Sequence, residues 1–369
     1  MSPRPSSATQ VTASAPATMP GLAMPGVAER LEAELAAPHL PSLPALPRRG
    51  HHGTQLGRAT ALLSELPAEL TSYGWRLTQR PGADRQRAER QLTADVDAVA
   101  DVRGAAAESG AHADGAPGLV LHLLGPVSLA AQLAVPSGEK VLVDHGARRD
   151  VAASLAAGLG EHLAHVRRAC QPSSLTVVLD EADHSRVRAG AVPTVSGYRT
   201  IRSLPRDETR RMIGEVAAAV RAAGAERILL DLGAPVAAEH LEDHLTRGDE
   251  RVDGFGLPVT RLDTADWERA ATLAEQGVEF LAGLLHPGEV VGVDASTPAA
   301  VPEVSTLAAR LAQPWHRLGM APSSLAAMLL TPFDAAHHAQ LAEARETEAL
   351  RAATRIRDAA EALTDRMGG

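Results

Sequence analysis

The chain has 369 residues and a formal net charge of −9. It carries no long Lys/Arg block, which argues against a nucleic-acid partner, because binding to phosphates needs clustered cations. The single cysteine, Cys170, excludes an internal disulfide and every paired-cysteine metal motif, so we expect a cytoplasmic protein. No apolar run approaches the roughly 18 residues of a membrane helix, so we expect no membrane partner.

The N-terminal part of the chain is rich in proline. Residues Met1–Pro16 are rich in Ser, Thr, Ala and Pro and predict a disordered tail, followed by a single domain over residues 17–369. We predict a weak first strand near Leu22, a helix over Val27–Ala36 and a second weak strand over Leu43–Leu46. The prolines around the second strand could form a polyproline ligand for a partner, but a rigid loop is the favoured interpretation.

The next part of the chain mixes helical and strand patterns. Its predicted elements are a helix over Thr54–Leu70, a short strand over Trp75–Gln79, a polar helix over Asp84–Val102, a surface loop over Gly104–Pro117 and a buried strand from Leu119 that closes in the turn Gly125-Pro126.

A buried strand that ends in two carboxylates lies at the centre of the sequence. The run Leu175–Leu179 is continuously apolar, as in strands covered on both faces, and Asp180 and Glu181 follow it directly. Apolar stripes at helical spacing predict flanking helices over Asp150–Ala169 and Asp207–Ala222. A second apolar run, Arg227–Asp231, again ends in a carboxylate, so the unit of strand, acidic end and helix repeats.

Three later strands complete the predicted sheet. They are Phe255–Thr260, Glu279–Leu285 and Ala327–Leu330, and a long final helix is predicted over Ala335–Met367. With the two weak N-terminal strands, eight strands can be counted in α/β alternation, which predicts a (β/α)8 TIM barrel with its chemistry at the carboxyl ends of the strands. A doubly wound open sheet is the alternative, but it lacks a G-x-G-x-x-G motif after the first strand.

The order and spacing of several strand-end motifs resemble a known family. These motifs are Pro38-His39-Leu40, Leu46-Pro47-Arg48-Arg49-Gly50, Leu56-Gly57-Arg58, Gly125-Pro126-Val127-Ser128-Leu129 and Asp180-Glu181. They resemble the bacterial single-barrel proteins related to cobalamin-independent methionine synthase, of the methionine synthase / uroporphyrinogen decarboxylase barrel type. The resemblance implies methyl transfer from 5-methyltetrahydrofolate to homocysteine in methionine biosynthesis, with zinc holding the thiolate.

The zinc ligands of that family are not kept in this sequence. The family's His-x-Cys, Glu and Cys ligands match Asp231 with Gly233, Pro258 and Asp334 by strand order. None of the four ligand types remains, so we expect a degenerate zinc site, no metal and no cofactor. The resemblance then leaves two hypotheses open, a divergent or inactive methyltransferase and a non-catalytic barrel that binds a small molecule, such as an amino acid or folate, or a protein partner.

A third hypothesis is a tetrapyrrole binder of the decarboxylase type. Such a protein needs cationic groups at the barrel mouth to hold carboxylates, and Arg48, Arg49 and Arg58 are the early arginines that could serve.

The adjacent carboxylates Asp180 and Glu181 are the predicted substrate-binding residues. In the related family the aspartate of this pair helps to bind the amino group of homocysteine, and this role carries over to Asp180 by resemblance. Capping of the next helix, or pairing with Arg186 and Arg188, is an equally weighted alternative for the pair.

Histidines supply weaker candidates. His286 follows a predicted strand directly and could join Asp231 and Asp334 in an oxygen-rich divalent site, but solvated or salt-bridged side chains are the favoured interpretation for the two aspartates. Three further pairs, His51 with His52, His240 with His244 and His337 with His338, were weighed as ligands or proton shuttles, and solvated helix faces are the favoured interpretation for them.

Overall fold

The computed structural model of the protein describes residues 10–112, 115–245, 248–291 and 300–367. Its strands are β1 (Thr12–Ala13), β2 (Ala68–Thr71), β3 (Gly74–Leu77), β4 (Leu119–Leu124), β5 (Leu175–Asp180), β6 (Arg227–Asp231), β7 (Gly254–Pro258), β8 (Glu279–Gly283) and β9 (Met328–Thr331). Seven of them form a curled parallel sheet in the order β1-β9-β8-β7-β6-β5-β4, whereas β2 and β3 form a separate antiparallel hairpin.

Helices alternate with most of these strands. They are α1 (Met24–Glu34), α2 (Gln55–Ala61), α3 (Ala83–Glu108), α4 (Pro126–Gln132), α5 (His145–Cys170), α6 (His184–Arg188), α7 (Arg206–Ala222), α8 (Ala238–His244), α9 (Thr264–Glu275), α10 (Val304–Arg317) and α11 (Glu346–Met367). Among the described helices, none is both long and apolar enough to cross a membrane. The alternation confirms an α/β protein consistent with a TIM-like fold.

The sheet buries its two faces against different partners. Side chains of successive strand residues point to opposite faces, and one set forms a small separate core. This inner core consists of Leu40, Val120, Val178, Leu229, Leu281 and Leu329, all buried. The other face packs against the helices in the large main core. Contact among residues of five strands and one loop on a single face requires the sheet to curl, as in a barrel.

The two edges of the sheet are linked by irregular chain. Leu40 makes an isolated parallel bridge to Ser14 next to β1, and Ser42 makes another to Val120 in β4. Residues 41–44 form no regular strand, because Pro41 and Pro44 lack backbone N–H donors. The described sheet is therefore a curled half-barrel, and the predicted eight closed strands are not confirmed.

The N-terminal boundary differs from the prediction. Residues 1–9 of the predicted tail Met1–Pro16 lie outside the described residues, but β1 lies within its last part, with Val11 and Ala13 at most 1 % exposed. A tail over residues 10–16 is therefore wrong. The first strand is not near Leu22, whose exposed fraction is 68 %. A two-residue strand leaves no periodicity in a sequence, which explains the error.

Three other predicted boundaries are wrong. The helix predicted over Thr54–Leu70 ends at Ala61, and β2 begins after Pro67, which cannot continue a helix ladder. The loop predicted over Gly104–Pro117 begins later, because α3 continues to Glu108. The long final helix predicted over Ala335–Met367 is divided into a 3₁₀ segment, His338–Glu343, and α11.

Candidate functional site

A polar layer lies on the inner face of the sheet, just beyond its apolar core. The inner-core residues Val120, Val178, Leu229 and Leu329 are each followed two positions later, on the same face, by His122, Asp180, Asp231 and Thr331, respectively. The register places Asp180 beside Asp231 and beside Leu124 of β4. Because carboxyl ends of parallel strands meet at one edge, the four strands β4, β5, β6 and β9 bring these polar side chains to the same edge of the sheet.

At the centre of this layer is a group that we call the strand-end cluster, formed by His122, Asp180 and His338. The Asp180 Oδ1 atom lies 3.4 Å from His122 Nδ1 and 3.6 Å from His338 Nε2. The two imidazole rings meet edge to face with centroids 5.0 Å apart. All three side chains are at most 3 % exposed. Gln55 of α2 donates from Nε2 to Asp180 Oδ2 over 2.6 Å.

The three members of the strand-end cluster differ in protonation. Burial opposes ionisation of Asp180, but the imidazoles of His122 and His338 hold the pKa of its carboxyl well below the ordinary value. Burial lowers the pKa of His122, although the carboxylate of Asp180 opposes this shift. Burial also disfavours the charged form of His338, but the nearby carboxylates, Asp180 foremost, outweigh it and raise the pKa of this imidazole. Asp180 is thus an ionised carboxylate in the protein interior.

Asp231 and Asp334, two of the family's former zinc positions, hold loops together. Asp231 Oδ1 accepts from the backbone N–H of Gly233 and Oδ2 accepts from that of Ala335, both over 2.8 Å. Burial, and then the charges of Asp334 and Asp180, raise the pKa of Asp231. Asp334 Oδ1 lies 2.9 Å from Arg261 Nη2 and also accepts from the backbone N–H of Ala336 over 3.0 Å.

The proposed divalent site of Asp231, Asp334 and His286 is not formed. His286 is exposed, and its Nδ1 accepts from the backbone N–H of Gly288 over 3.2 Å in a local turn. Over the described part of the chain, the one group of metal-ligand side chains whose donor atoms lie within 4.8 Å of one another is the strand-end cluster.

The other two former zinc positions are structural. Gly233 adopts a positive φ of 59°, and a Cβ there would lie 2.8 Å from the backbone nitrogen of Ala336, so this turn requires glycine. Pro258 is the last residue of β7. Neither residue can supply a side-chain ligand.

Glu181 lies next to Asp180 but has a different environment. Its Oε1 accepts from the backbone N–H of Val127 over 2.9 Å, and its Oε2 accepts from that of Ser128 over 2.6 Å. The side chain therefore caps the N-terminus of α4, which follows the neighbouring strand β4. The next helix in the chain, α6, which the capping alternative named, receives no side-chain cap. Burial raises the pKa of Glu181 to about 7, although these hydrogen bonds favour its ionised form.

The pairing alternative involves neither Asp180 nor Glu181. Arg186 pairs with Asp183 over 2.7 Å, and Arg188 donates to the backbone carbonyl of Leu204 over 2.6 Å.

Sequence reasoning missed two members of the strand-end cluster and their neighbour Gln55. His122 carried a signal, since it is the one polar residue in the apolar strand β4. His338 was weighed, but its assignment to a solvated helix face is wrong because the residue is 1 % exposed. The same correction applies to His52, His240 and His244, which are 9 %, 7 % and 1 % exposed. Gln55 gave no signal, because its contact spans 125 residues.

Comparisons with known proteins support the fold and leave the activity open. The sequence matches no family model and no curated protein. Among solved structures, the chain is similar to a B12-independent methionine synthase from Shewanella sp. W3-18-1 in complex with selenomethionine. The TM-score is 0.54 at 9 % identity, over 97 % of this chain and 99 % of that chain. The protein therefore has an α/β fold related to that of a methionine synthase. A sequence identity this low does not support the assignment of any particular activity.

Proposed function

We propose that this protein binds a small cationic or amino-bearing molecule at the carboxyl edge of its sheet, with Asp180 as the central contact. One observation carries the proposal. Asp180 is ionised and buried, yet in the described chain its carboxylate meets the side chains of Gln55, His122 and His338 and no backbone donor. A buried carboxylate is costly unless it is paired, and convergent polar groups at this edge are typical of barrel ligand sites.

The finer proposal concerns the kind of ligand and reaction. The related fold, together with the match of Asp180 to the family residue that contacts the homocysteine amino group, favours an amino acid or folate as ligand. The ancestral activity is then methyl transfer from 5-methyltetrahydrofolate to homocysteine. Asp231, Gly233, Pro258 and Asp334 supply no thiolate-activating zinc site of the family type, so we propose a divergent protein.

The chemistry of the thiol supports this divergence. A free thiol titrates near about 8.5, so only a few per cent is thiolate at neutral pH without a metal. Negative charge at Asp180 would raise the pKa of a nearby thiol further. A non-catalytic barrel that binds the same class of ligand is the second candidate, and the buried carboxylate of Asp180 suits both.

The tetrapyrrole hypothesis receives less support from the arginines on which it depends. Arg49 and Arg58 both pair with Asp95, over 2.5 and 2.7 Å. Arg48 donates to the backbone carbonyls of Ala342 and Ala344 over 2.9 Å each. These three guanidinium groups are engaged by the protein itself.

Calorimetric titration of the full chain with methionine and homocysteine tests the proposal. We expect binding by the wild type, at least about tenfold weaker binding by Asp180→Asn because the opposing charge is lost, and weaker binding of the analogues that lack the amino group. Asp183→Asn is the matched control, since Asp183 already pairs with Arg186. Equal affinities for the amino and deaminated ligands, or for wild type and Asp180→Asn, would contradict the proposed role of Asp180.

A further inference from the structure

We propose that His122, Asp180 and His338 bind a divalent first-row transition metal, each through one atom. This inference rests on the proposed function, because it concerns the same cluster and names the cation that Asp180 holds. It departs from the expectation of no metal, which was based on Asp231, Gly233, Pro258 and Asp334. None of those four residues is a ligand in the new site.

The spacing of the donor atoms fits metal coordination better than hydrogen bonding. The separations of 3.4 and 3.6 Å between Asp180 Oδ1 and the two imidazole nitrogens exceed the usual range of about 2.7–3.2 Å for a hydrogen bond to nitrogen. Ligand atoms at about 2.0–2.1 Å from a tetrahedral zinc lie about 3.3 Å from one another. The three side chains offer ligand atoms that all lie within 4.8 Å of one another, so one ion can occupy the space between them after small side-chain shifts.

Four unsatisfied buried atoms belong to the polar layer. Of the twelve buried side-chain atoms without a hydrogen-bond partner among the described residues, two are the ring nitrogens of His338, one is Nε2 of His122 and one is Oγ1 of Thr331. Buried polar atoms in folded proteins are nearly always satisfied by protein, water or an ion. The geometry assigns His338 Nε2 to the ion, because this nitrogen faces Asp180.

Gln55 orients the carboxylate for this purpose. Its amide donates to Oδ2 of Asp180 over 2.6 Å, which leaves Oδ1 directed at both imidazoles. Such outer contacts fix the orientation of a metal-binding carboxylate. Gln55 is thus a positioning residue for the site.

The ligand set selects a class of metal. Two imidazoles and one carboxylate suit zinc and iron(II), whereas magnesium and calcium prefer oxygen ligands and copper(I) prefers sulfur. Three protein ligands leave coordination positions open, as in catalytic rather than structural sites. The imidazole nitrogens on the far side of His122 and His338 lack protein partners, so we expect a metal that chelators remove.

Metal reconstitution of the full chain tests the inference. The protein is stripped with a chelator, reloaded with zinc or, anaerobically, with iron(II), dialysed and measured by elemental analysis. We expect one ion per chain in the wild type and affinity reduced at least about 100-fold in His122→Ala and His338→Ala. His286→Ala is the matched control, because it removes an exposed imidazole outside the cluster, and we expect it to bind like the wild type.

Cobalt(II) spectra of the wild type provide a second measurement that does not depend on the folding of variants. We expect visible absorption bands typical of cobalt(II) that is bound by nitrogen and oxygen ligands and has a coordination number below six. Failure of zinc and iron(II) to bind the wild type, or unchanged stoichiometry in both folded histidine variants, would overturn the inference.

Amino-acid titration of the stripped protein separates this inference from the proposed function. One outcome is that the stripped protein takes up no added metal but still binds amino acids in a way that depends on Asp180. The metal site is then wrong and the proposed function stands. If metal binds and amino acids do not, the metal site stands and the organic ligand is wrong. Loss of both rejects both.

Discussion

Both carboxylate oxygens of Asp231 are occupied by backbone groups, one from each of two loops. Gly233 lies in the loop after β6, and Ala335 lies in the loop that leads from β9 to His338. Asp231→Ala leaves the buried N–H of Gly233 and the half-buried N–H of Ala335 without partners, and an unsatisfied buried donor costs about 1–3 kcal/mol. We expect the free energy of unfolding, measured in urea, to fall by about 2–5 kcal/mol, and the strand-end cluster to bind its ligand more weakly although Asp231 does not touch it.

Asp365→Ala, on the exposed end of α11, is the control for this prediction, and we expect it to change stability by less than about 0.5 kcal/mol. A stable Asp231→Ala protein with unchanged ligand affinity would show that Asp231 does not organise the loop of His338.

Residues at the strand ends were partly predictable from sequence. Asp180 and Asp231 could be found because each follows a continuous apolar run, which sets both the strand and its carboxyl end. Their partners could not be found in this way. His338 reaches Asp180 from a loop 158 positions away, and helical spacing says nothing about such a contact. Whether Glu181 contacts a ligand or caps a helix could not be predicted, because it depends on the N-terminus of α4 lying beside it in the folded protein.

Helix α4 depends on a residue from another element for its N-terminus. Its first free N–H groups, on Val127 and Ser128, donate to Glu181, and the side chain of Asp180 takes no part in this contact. Glu181→Ala removes both acceptors and leaves a cavity in a fully buried position. We expect a loss of about 2–5 kcal/mol in unfolding free energy, since caps and buried acceptors each contribute about 1–3 kcal/mol.

The variant Glu161→Ala, which removes an exposed carboxylate on α5, should leave stability nearly unchanged. Urea titration gives the stability, and calorimetry gives ligand affinity under folding conditions. If Glu181→Ala keeps wild-type stability but loses ligand binding, Glu181 is a substrate contact as the resemblance implied, and the capping role is secondary.

Elements with strong periodicity were predicted well, and short ones were not. The strands β4 to β9 and the helices α5 and α7 match predicted segments, because long apolar runs and stripes determine them locally. The short strand β1 has no such pattern, and its place is set by pairing with β9 across the whole chain. The predicted final helix likewise does not begin at Ala335, because the backbone N–H groups of Ala335 and Ala336 donate to Asp231 and Asp334, contacts that no local propensity encodes.

At the scale of the whole molecule, the inner face of the sheet carries two layers of side chains, one apolar and one polar. The inner core of apolar side chains fills the concave side of the curled sheet. His122 and Asp180 of the strand-end cluster lie two residues further along β4 and β5. Strand pleating makes both layers face the same interior. A ligand at this edge therefore contacts groups from β4, β5 and the loop after β9 together, so its affinity depends on the curl being maintained.

Several buried histidines link the stability of the whole molecule to pH. Burial lowers the pKa to about 3 for His162 and His184 and to about 4 for His244. All three are less than 9 % exposed. Their ordinary value is about 6.5, so the unfolded chain binds protons below that pH and the folded chain does not. These groups contribute stability that is complete above pH 6.5 and is lost as the pH falls towards 4.

Glu181 has the opposite effect, because its raised pKa of about 7 favours the folded state at low pH and this contribution is lost as the pH rises. The carboxyl of Asp231, whose pKa burial also raises to about 7, acts in the same direction as Glu181. Three imidazoles therefore oppose two carboxyls, and each net proton changes stability by about 1.4 kcal/mol per pH unit. We expect the unfolding free energy in urea to fall by up to about 1.4 kcal/mol from pH 6.5 to 5.5. His162→Leu and His244→Leu should flatten that slope, whereas His145→Gln, at an exposed position, should not. Equal slopes in all four proteins would mean that these imidazoles are protonated in the folded state.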